Sequence, residues 1–258
     1  MKIVTWNVNS LAARLPRVVE FLGLHDPDIV CLQETKSESA AFPSDELAAA
    51  GYQSVEHSAG RWAGVAVLAR ADRSLVGTAG GLPGELRTEE ARWVEATVDG
   101  LRVASAYVPN GRALGSPTFD EKLAFLDAIA ARVERVAAAG EQIVVTGDLN
   151  VTRDDRDVWD PAAFAGSTHV TPDERTRLEA ILEAGDLVDA YRYVHPDDRQ
   201  FTWWDYRQGH FHRGMGLRID YVLLSRTLAP RLERCGIERD FRKGVKPSDH
   251  APLVAVIG

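Results

Sequence analysis

The sequence predicts an α/β fold whose sheet is mixed rather than parallel, and three observations carry that prediction. Short apolar, β-branched segments recur along all 258 residues, amphipathic segments with helix-start signals lie between them, and one Asp-Gly pair joins two strands. With 45% hydrophobic and 26% charged residues, the composition is that of an ordinary globular protein. No repeat, low-complexity run or linker divides the chain, so a single domain over 1–258 is expected.

In chain order, "KIVTWNV" (2–8) reads as the first strand, followed by a helix over 14–24 with Pro16 tolerated in its first turn. "DIVCLQE" (28–34) and "GVAVLAR" (64–70) are the next strands. "RWVEATV" (92–98) and "LRVASAYV" (101–108) flank Asp99-Gly100, a two-residue turn that makes this part of the sheet antiparallel. Thr118 with Glu121 predicts a capping box, opening a helix whose apolar positions (Leu123, Phe125, Leu126, Ile129, Val133, Val136) continue to Gly140. "EQIVVTGD" (141–148) is a strand. Thr171, Pro172 and Glu174 open another helix, which runs to Gly185. "FTWWDY" (201–206), "RIDYVLLS" (218–225) and "APLVAVIG" (251–258) complete the strands.

A net charge of −8 argues against a protein that holds nucleic acid by broad basic attraction alone, since such binding needs many phosphate contacts. A divalent cation gathered by some of those acids would supply the missing positive charge locally. Cys31 and Cys235 lack metal or redox spacing and read as buried free thiols. No run approaches the roughly 18 to 20 apolar residues that span a bilayer, and the chain opens directly on a strand. A cytoplasmic protein without a membrane partner is expected, and nothing demands more than a monomer.

The strand ends carry the chemistry. The first ends in Asn7 and Asn9, the second in Gln33 and Glu34, and the hairpin's second arm in Tyr107. "VTGDLN" sets down Asp148 and Asn150, "RIDY" holds Asp220, and Asp249 and His250 precede the last strand. Side chains two apart on an extended chain share a face, so Asn7 with Asn9, and Asp148 with Asn150, can point into one space. For any single one of these residues a turn former or helix cap is the commoner role. Their coincidence at strand tips points instead to one rim. Four carboxylates with Asn, Tyr and His suit Mg²⁺ or Mn²⁺ rather than zinc, and that donor set belongs above all to phosphoryl transfer. Neither GxxxxGK[ST] nor GxSxG occurs, so nucleotide-powered and serine-hydrolase chemistry lack their parts.

"TWNVNSLAAR", "PDIVCLQETK", "AYVPNG", "VTGDLN", "FTWWDYR", "GLRIDYVLLS" and "PSDHAPL", in this order, resemble the exonuclease III family of DNA repair nucleases, which includes the major apurinic/apyrimidinic endonucleases. The resemblance covers essentially the whole chain. It implies a four-layered α/β sandwich, two mixed β-sheets face to face and flanked by helices, with one active site at its end. It also implies that Glu34 is the principal metal ligand, with Asn9, Asp249, Asp148 and Asn150 nearby and Lys36 holding the acidic cluster. By the same likeness Asp148 orients or deprotonates water beside Asn150, Asn7 fixes the Asp148 carboxylate, Tyr107 and His250 contact the scissile phosphate, and Asp220 pairs with His250. That last pair makes sense independently, since a carboxylate on one imidazole nitrogen favours the cationic ring.

Trp203, Leu217 and Ile219 correspond to the pocket that receives a flipped-out abasic sugar, where a small apolar space rejects an intact base. Leu217 stands where some relatives carry tryptophan. Trp204 reads as core. Trp62 corresponds to an aromatic against the minor groove, and Arg112 or Asn110 to a duplex contact. Arg207, Arg213, Arg242, Lys243 and Lys246 flank the site segments and read as a local phosphate track. The expected function is therefore repair of double-stranded DNA with abasic sites or 3′ ends: incision 5′ of abasic sites, 3′→5′ exonuclease action and 3′ end cleaning. Two rival readings stand beside it, a phosphatase or phosphodiesterase for a small phosphorylated molecule or phospholipid, and a non-catalytic DNA-binding relative.

Overall fold

The structure, a computed structural model, describes residues 1–258 apart from the side chains of residues 78 and 79. Its first half runs β1 (Lys2–Asn7), α1 (Leu11–His25), β2 (Ile29–Gln33), α2 (Ser44–Ala49), β3 (Tyr52–His57), β4 (Val65–Arg70), β5 (Leu75–Gly80), β6 (Trp93–Val98) and β7 (Leu101–Tyr107). There follow α3 (Pro117–Ala138), β8 (Ile143–Asp148), α4 (Pro172–Ala184), β9 (Leu187–Asp189), α5 (Ala190–Val194), α6 (His210–Arg213), β10 (Asp220–Ser225), β11 (Leu232–Ile237) and β12 (Leu253–Ile257).

These strands form two six-stranded sheets, ordered β11-β12-β1-β2-β4-β3 and β5-β6-β7-β8-β10-β9. Each holds one parallel pair among antiparallel neighbours: β1 with β2 across α1, and β7 with β8 across α3. A parallel pair needs a long crossover, which these helices provide. Ile3, Ile29 and Val67 of one sheet meet Val94, Val103, Val144 and Val222 of the other in a shared core. The outer faces are covered separately, one by the Val18, Phe21 and Leu22 side of α1, the other by Phe125, Ile129 and Val133 of α3 with Leu178 and Ile181 of α4. The result is the four-layered sandwich implied by the motifs. Among the described residues no helix is long and apolar enough to cross a membrane.

The eight interior strands are those the apolar runs predict. The four edge strands, β3, β5, β9 and β11, were not predicted, and "FTWWDY" forms only isolated bridges at Trp203 instead of a strand. The long helix is capped two residues before the predicted start: Ser116, not Thr118, accepts from the Phe119 N–H at 3.2 Å, which places Pro117 at the first helical position. The first helix also starts earlier, at Leu11 behind Ser10, so Pro16 lies beyond the first turn. The Thr171–Glu174 capping box is present. Both cysteines are free and buried, and Trp204 lies in the core.

One close approach sets the site's width. Gly147 has φ +142°, and a Cβ there would lie 1.9 Å from the Ala106 carbonyl oxygen. Only glycine lets β8 run this near β7, where Tyr107 registers opposite Asp148. Replacing Gly147 with Ala forces backbone apart inside a packed sheet and is expected to destabilise the protein by about 3 kcal/mol; an unchanged thermal midpoint would contradict this account.

Candidate active site

The two sheets deliver their polar strand ends to one seam. From the first come Asn7 at the tip of β1, with Asn9, Glu34 and Lys36 just beyond β1 and β2. From the second come Tyr107, Asp148, Asn150 and Asp220, the last paired directly opposite Asp148 in the β8–β10 ladder. Residues 248–250, entering β12, close the ring. Asn9, Glu34, Lys36 and Asn150 all hold left-handed φ between +45° and +53°. Each such residue carries of order 1–3 kcal/mol of strain, so the surrounding bonds must hold them there. The Ser10 N–H donates to the Glu34 carbonyl at 2.7 Å, for example.

A cavity of about 330 Å³ is lined by Glu34, Tyr107, Asp148, Trp203, Asp249 and His250, with Asn110, Asn150 and Ile219 at its walls. The Asn7 amide donates to Glu34 Oε1 at 2.8 Å and to Asp148 Oδ2 at 2.9 Å. The Asn150 N–H donates to Asp148 Oδ1 at 3.0 Å. Lys36 Nζ lies 2.6 Å from both Glu34 Oε2 and Asn9 Oδ1. Asn9 in turn donates to Asp249 Oδ1 at 3.0 Å, while Trp203 Nε1 donates to Asp249 Oδ2 at 3.1 Å. His250 Nδ1 stands 2.8 Å from Asp220 Oδ2, and its Nε2 faces Asp148 Oδ2 at 3.7 Å.

Burial, then the anions of Asp220 and Glu34, push the Asp148 carboxyl up to about 8, with His250 acting in the opposite sense. For His250, burial works against the charged ring, but Asp220 and then Asp148 outweigh it and raise the group to about 10. Burial, followed by the Glu34 charge, takes the Tyr107 phenol well above its ordinary value. The seam thus holds more negative charge than its own cations offset. Glu34, Asp148 and His250 offer atoms within 4.8 Å of one another. A ring protonated against Asp220 cannot ligate, which leaves carboxylate and amide oxygens, a hard donor set that fits a divalent cation of the Mg²⁺ type. Asp249, committed to Asn9 and Trp203, lies outside that tight group.

Two sequence expectations change here. Leu217 does not line the cavity: it is 0% exposed, packed with Val158 and Ile219 under a main-chain bridge to Trp203. Its apolar side chain takes the dry side of that bridge, leaving Trp203 and Ile219 as the apolar wall. His169 was not singled out, yet it lines the cavity, with Nδ1 2.6 Å from the Asn150 carbonyl and Nε2 3.3 Å from Asn110 Nδ2. A lone histidine before a helix cap carries no sequence signal of such a role. Burial, then the neighbouring Lys122 charge, pull His169 down to about 3, so the ring is neutral. Asp205 and Arg207 also reach the cavity and bond to each other. Trp62, 68% exposed, and Arg112 lie outside it.

Fold and site together define a phosphoester hydrolase architecture, and the chain belongs to the endonuclease/exonuclease/phosphatase family, whose pattern matches residues 4–250. Within it, the chain is 30% identical to exodeoxyribonuclease III of Haemophilus influenzae, over 99% of each chain. It is 35% identical to an AP endonuclease from Archaeoglobus fulgidus, with a TM-score of 0.94 over 100% of this chain and 99% of that one. The 3′ phosphatase NExo from Neisseria, solved with a product DNA hairpin, is 36% identical with a TM-score of 0.95 over the same shares.

Asp220→Asn keeps a hydrogen-bonding partner for His250 but removes the charge. In the metal-free protein the His250 titration is expected to fall well below about 10, as read by ¹⁵N NMR of the ring; an unmoved titration would show that Asp220 does not hold the proton.

Proposed function

We propose that this chain is a Mg²⁺-dependent DNA repair nuclease acting on duplex DNA, chiefly at 3′ ends, where it removes nucleotides or blocking phosphates, and also 5′ of abasic sites. One observation carries the reading: at the wall of one cavity, a carboxylate aimed by two N–H donors stands 3.7 Å from an imidazole paired with a second carboxylate. The relatives named above, which include an exodeoxyribonuclease, an AP endonuclease and a 3′ phosphatase, support DNA as the substrate.

In this scheme Asp148 takes a proton from water as its oxygen attacks phosphorus, and the bond from phosphorus to the leaving oxygen breaks as the new one forms. Asn7 and the Asn150 N–H hold the carboxylate at the angle that this transfer needs. His250, kept cationic by Asp220, binds a non-bridging phosphate oxygen whose charge grows in the transition state. Tyr107, protonated throughout the neutral range, donates to the same phosphate. Glu34 with Asn9 would hold the Mg²⁺, which when bound offsets charge on the phosphate and leaving oxygen. Trp203 and Ile219 give the terminal sugar an apolar surface. With Leu217 buried, that surface is smaller than the three-residue pocket the motifs implied, and this favours end processing over abasic incision. The monomer and a cytoplasmic setting belong to the same reading.

Asp148→Asn is expected to lower kcat by roughly 10²- to 10⁴-fold with DNA affinity nearly unchanged, as measured by single-turnover kinetics and fluorescence anisotropy. Cleavage at the parental rate would remove Asp148 from the mechanism. On one preparation, the rate of 3′ phosphate removal is expected to exceed incision at a tetrahydrofuran abasic analogue, and EDTA should abolish both. Failure to cut either duplex with Mg²⁺ present would favour a small phosphorylated substrate.

A further inference from the structure

Behind the cavity lies a charged group that the reaction scheme does not use. Lys122 sits in the second turn of α3 with its side chain 0% exposed, on the face otherwise given to Phe125, Leu126 and Ile129. Its ammonium meets the Asn150 carbonyl at 2.7 Å, the Asn110 carbonyl at 3.2 Å, Thr168 Oγ1 at 3.0 Å, and the Glu174 carboxylate. Glu174, equally buried on α4, also accepts from the His169 N–H at 2.8 Å and from Thr171. One ion pair therefore joins two helices to three segments of two connections, β7–α3 and β8–α4, each segment bringing a residue to the cavity wall or next to it.

The Asn150 backbone is where this matters. Asn150 has φ +53°, and its carbonyl is gripped by both Lys122 Nζ and His169 Nδ1 while its own N–H donates to Asp148 Oδ1. A carbonyl only accepts, so His169 Nδ1 carries the proton and Nε2 is the acceptor for Asn110 Nδ2. Lys122 thus fixes the Asn150 peptide directly and, through Glu174 and the His169 N–H, the loop that carries the second grip. A buried ion pair adds little net stability compared with an apolar replacement of the same size, whereas loss of one partner strands a charge. Its contribution here is geometric: the Asn110, Asn150 and Thr168–His169 segments are held in one arrangement.

We propose that Lys122 is a positioning residue for the hydrolytic reaction: paired with Glu174, it clamps the Asn110, Asn150 and Thr168–His169 segments and so sets the angle at which Asp148 meets water. The inference rests on the nuclease reading above and adds residues that touch neither substrate nor metal.

The test compares the parent, Lys122→Met, and the double variant Lys122→Met/Glu174→Gln on a duplex with a 3′ phosphate and saturating Mg²⁺. Each protein is assayed well below its own thermal midpoint. Lys122→Met strands the Glu174 charge and should lower the midpoint by about 10 °C. The double variant removes both charges and should regain most of that loss. If the pair positions Asp148, kcat falls roughly 10- to 100-fold in both variants while KM stays within about twofold, because a small misplacement of the reacting groups costs rate and not binding. Recovery of kcat together with the midpoint in the double variant, or a parental kcat in folded Lys122→Met, overturns the proposal and leaves the pair a stability element. An inactive parent would instead count against the nuclease reading, independently of Lys122.

Discussion

At the active site one amide, that of Asn7, bridges an acid from each of the two sheets. The Asn7 NH₂ group has two protons, and it gives one to Glu34, on its own sheet's side, and the other to Asp148, on the opposite sheet. Its oxygen accepts from the Asn9 N–H. All its hydrogen-bonding atoms are used, and it brings no net charge. A lysine in its place would neutralise the carboxylates and compete with a metal cation. An aspartate would repel them, and leucine would leave both short of donors. A neutral double donor holds two acids adjacent without adding a charge of its own.

Because that amide spans the seam, sheet-on-sheet packing is part of the active site. The β-branched core of Ile3, Ile29, Val67, Val103 and Val144 fixes how far β1 stands from β8, and a packed interior of this kind is stiff. Gly147 sets the companion distance within the second sheet. Within the first sheet, Ser248 donates to the Asn7 carbonyl at 2.7 Å and Trp6 to the His250 carbonyl at 3.1 Å, which ties the segment entering β12 to the end of β1. The strained backbones of Glu34 and Asn150 are held by structure on both sides of the seam, which is how left-handed residues persist at the rim.

The pattern of what the sequence discloses follows from burial. Interior strands are covered on both faces and read as continuous apolar runs, so all eight are legible. Edge strands are half-solvated: "YQSVEH" in β3 and "LERCGI" in β11 interleave polar residues with apolar ones and carry no such run. "FTWWDY" fails in the opposite direction, since Trp204 packs against Phe211 of α6 and Ala251 and not within a sheet. At the site, acids and amides at strand tips are visible because strand ends are visible. Lys122 and His169 are not, because one is a lysine amid a helical pattern and the other a lone histidine in a loop, and only tertiary packing brings them to Asn150. Leu217 shows the complementary limit: motif position places it beside the pocket, but the direction of its side chain depends on a main-chain bridge that spacing does not encode.

The same reasoning bears on how an acidic protein holds a polyanion. The sequence suggested a basic track at Arg207, Arg213, Arg242, Lys243 and Lys246, and the structure thins it. Arg207 pairs with Asp205 and Lys243 with Asp240. Arg242 is buried with its guanidinium over the Tyr206 and Phe211 rings, and burial lowers its affinity for the proton. Among the described residues Arg213, Arg242 and Lys246 have no carboxylate partner, and of these only Arg213 and Lys246 are exposed. Long-range attraction is therefore weak, and it is screened further at physiological salt, where the Debye length is about 8 Å. In the proposed scheme recognition comes from short-range contacts at the seam, from His250, the aromatic wall of Trp203 and the cation the acids would hold. On this view the acidity is part of the design: the carboxylates that repel DNA from most of the surface are of the same kind as those that gather positive charge at the one place where a phosphate is to be cut.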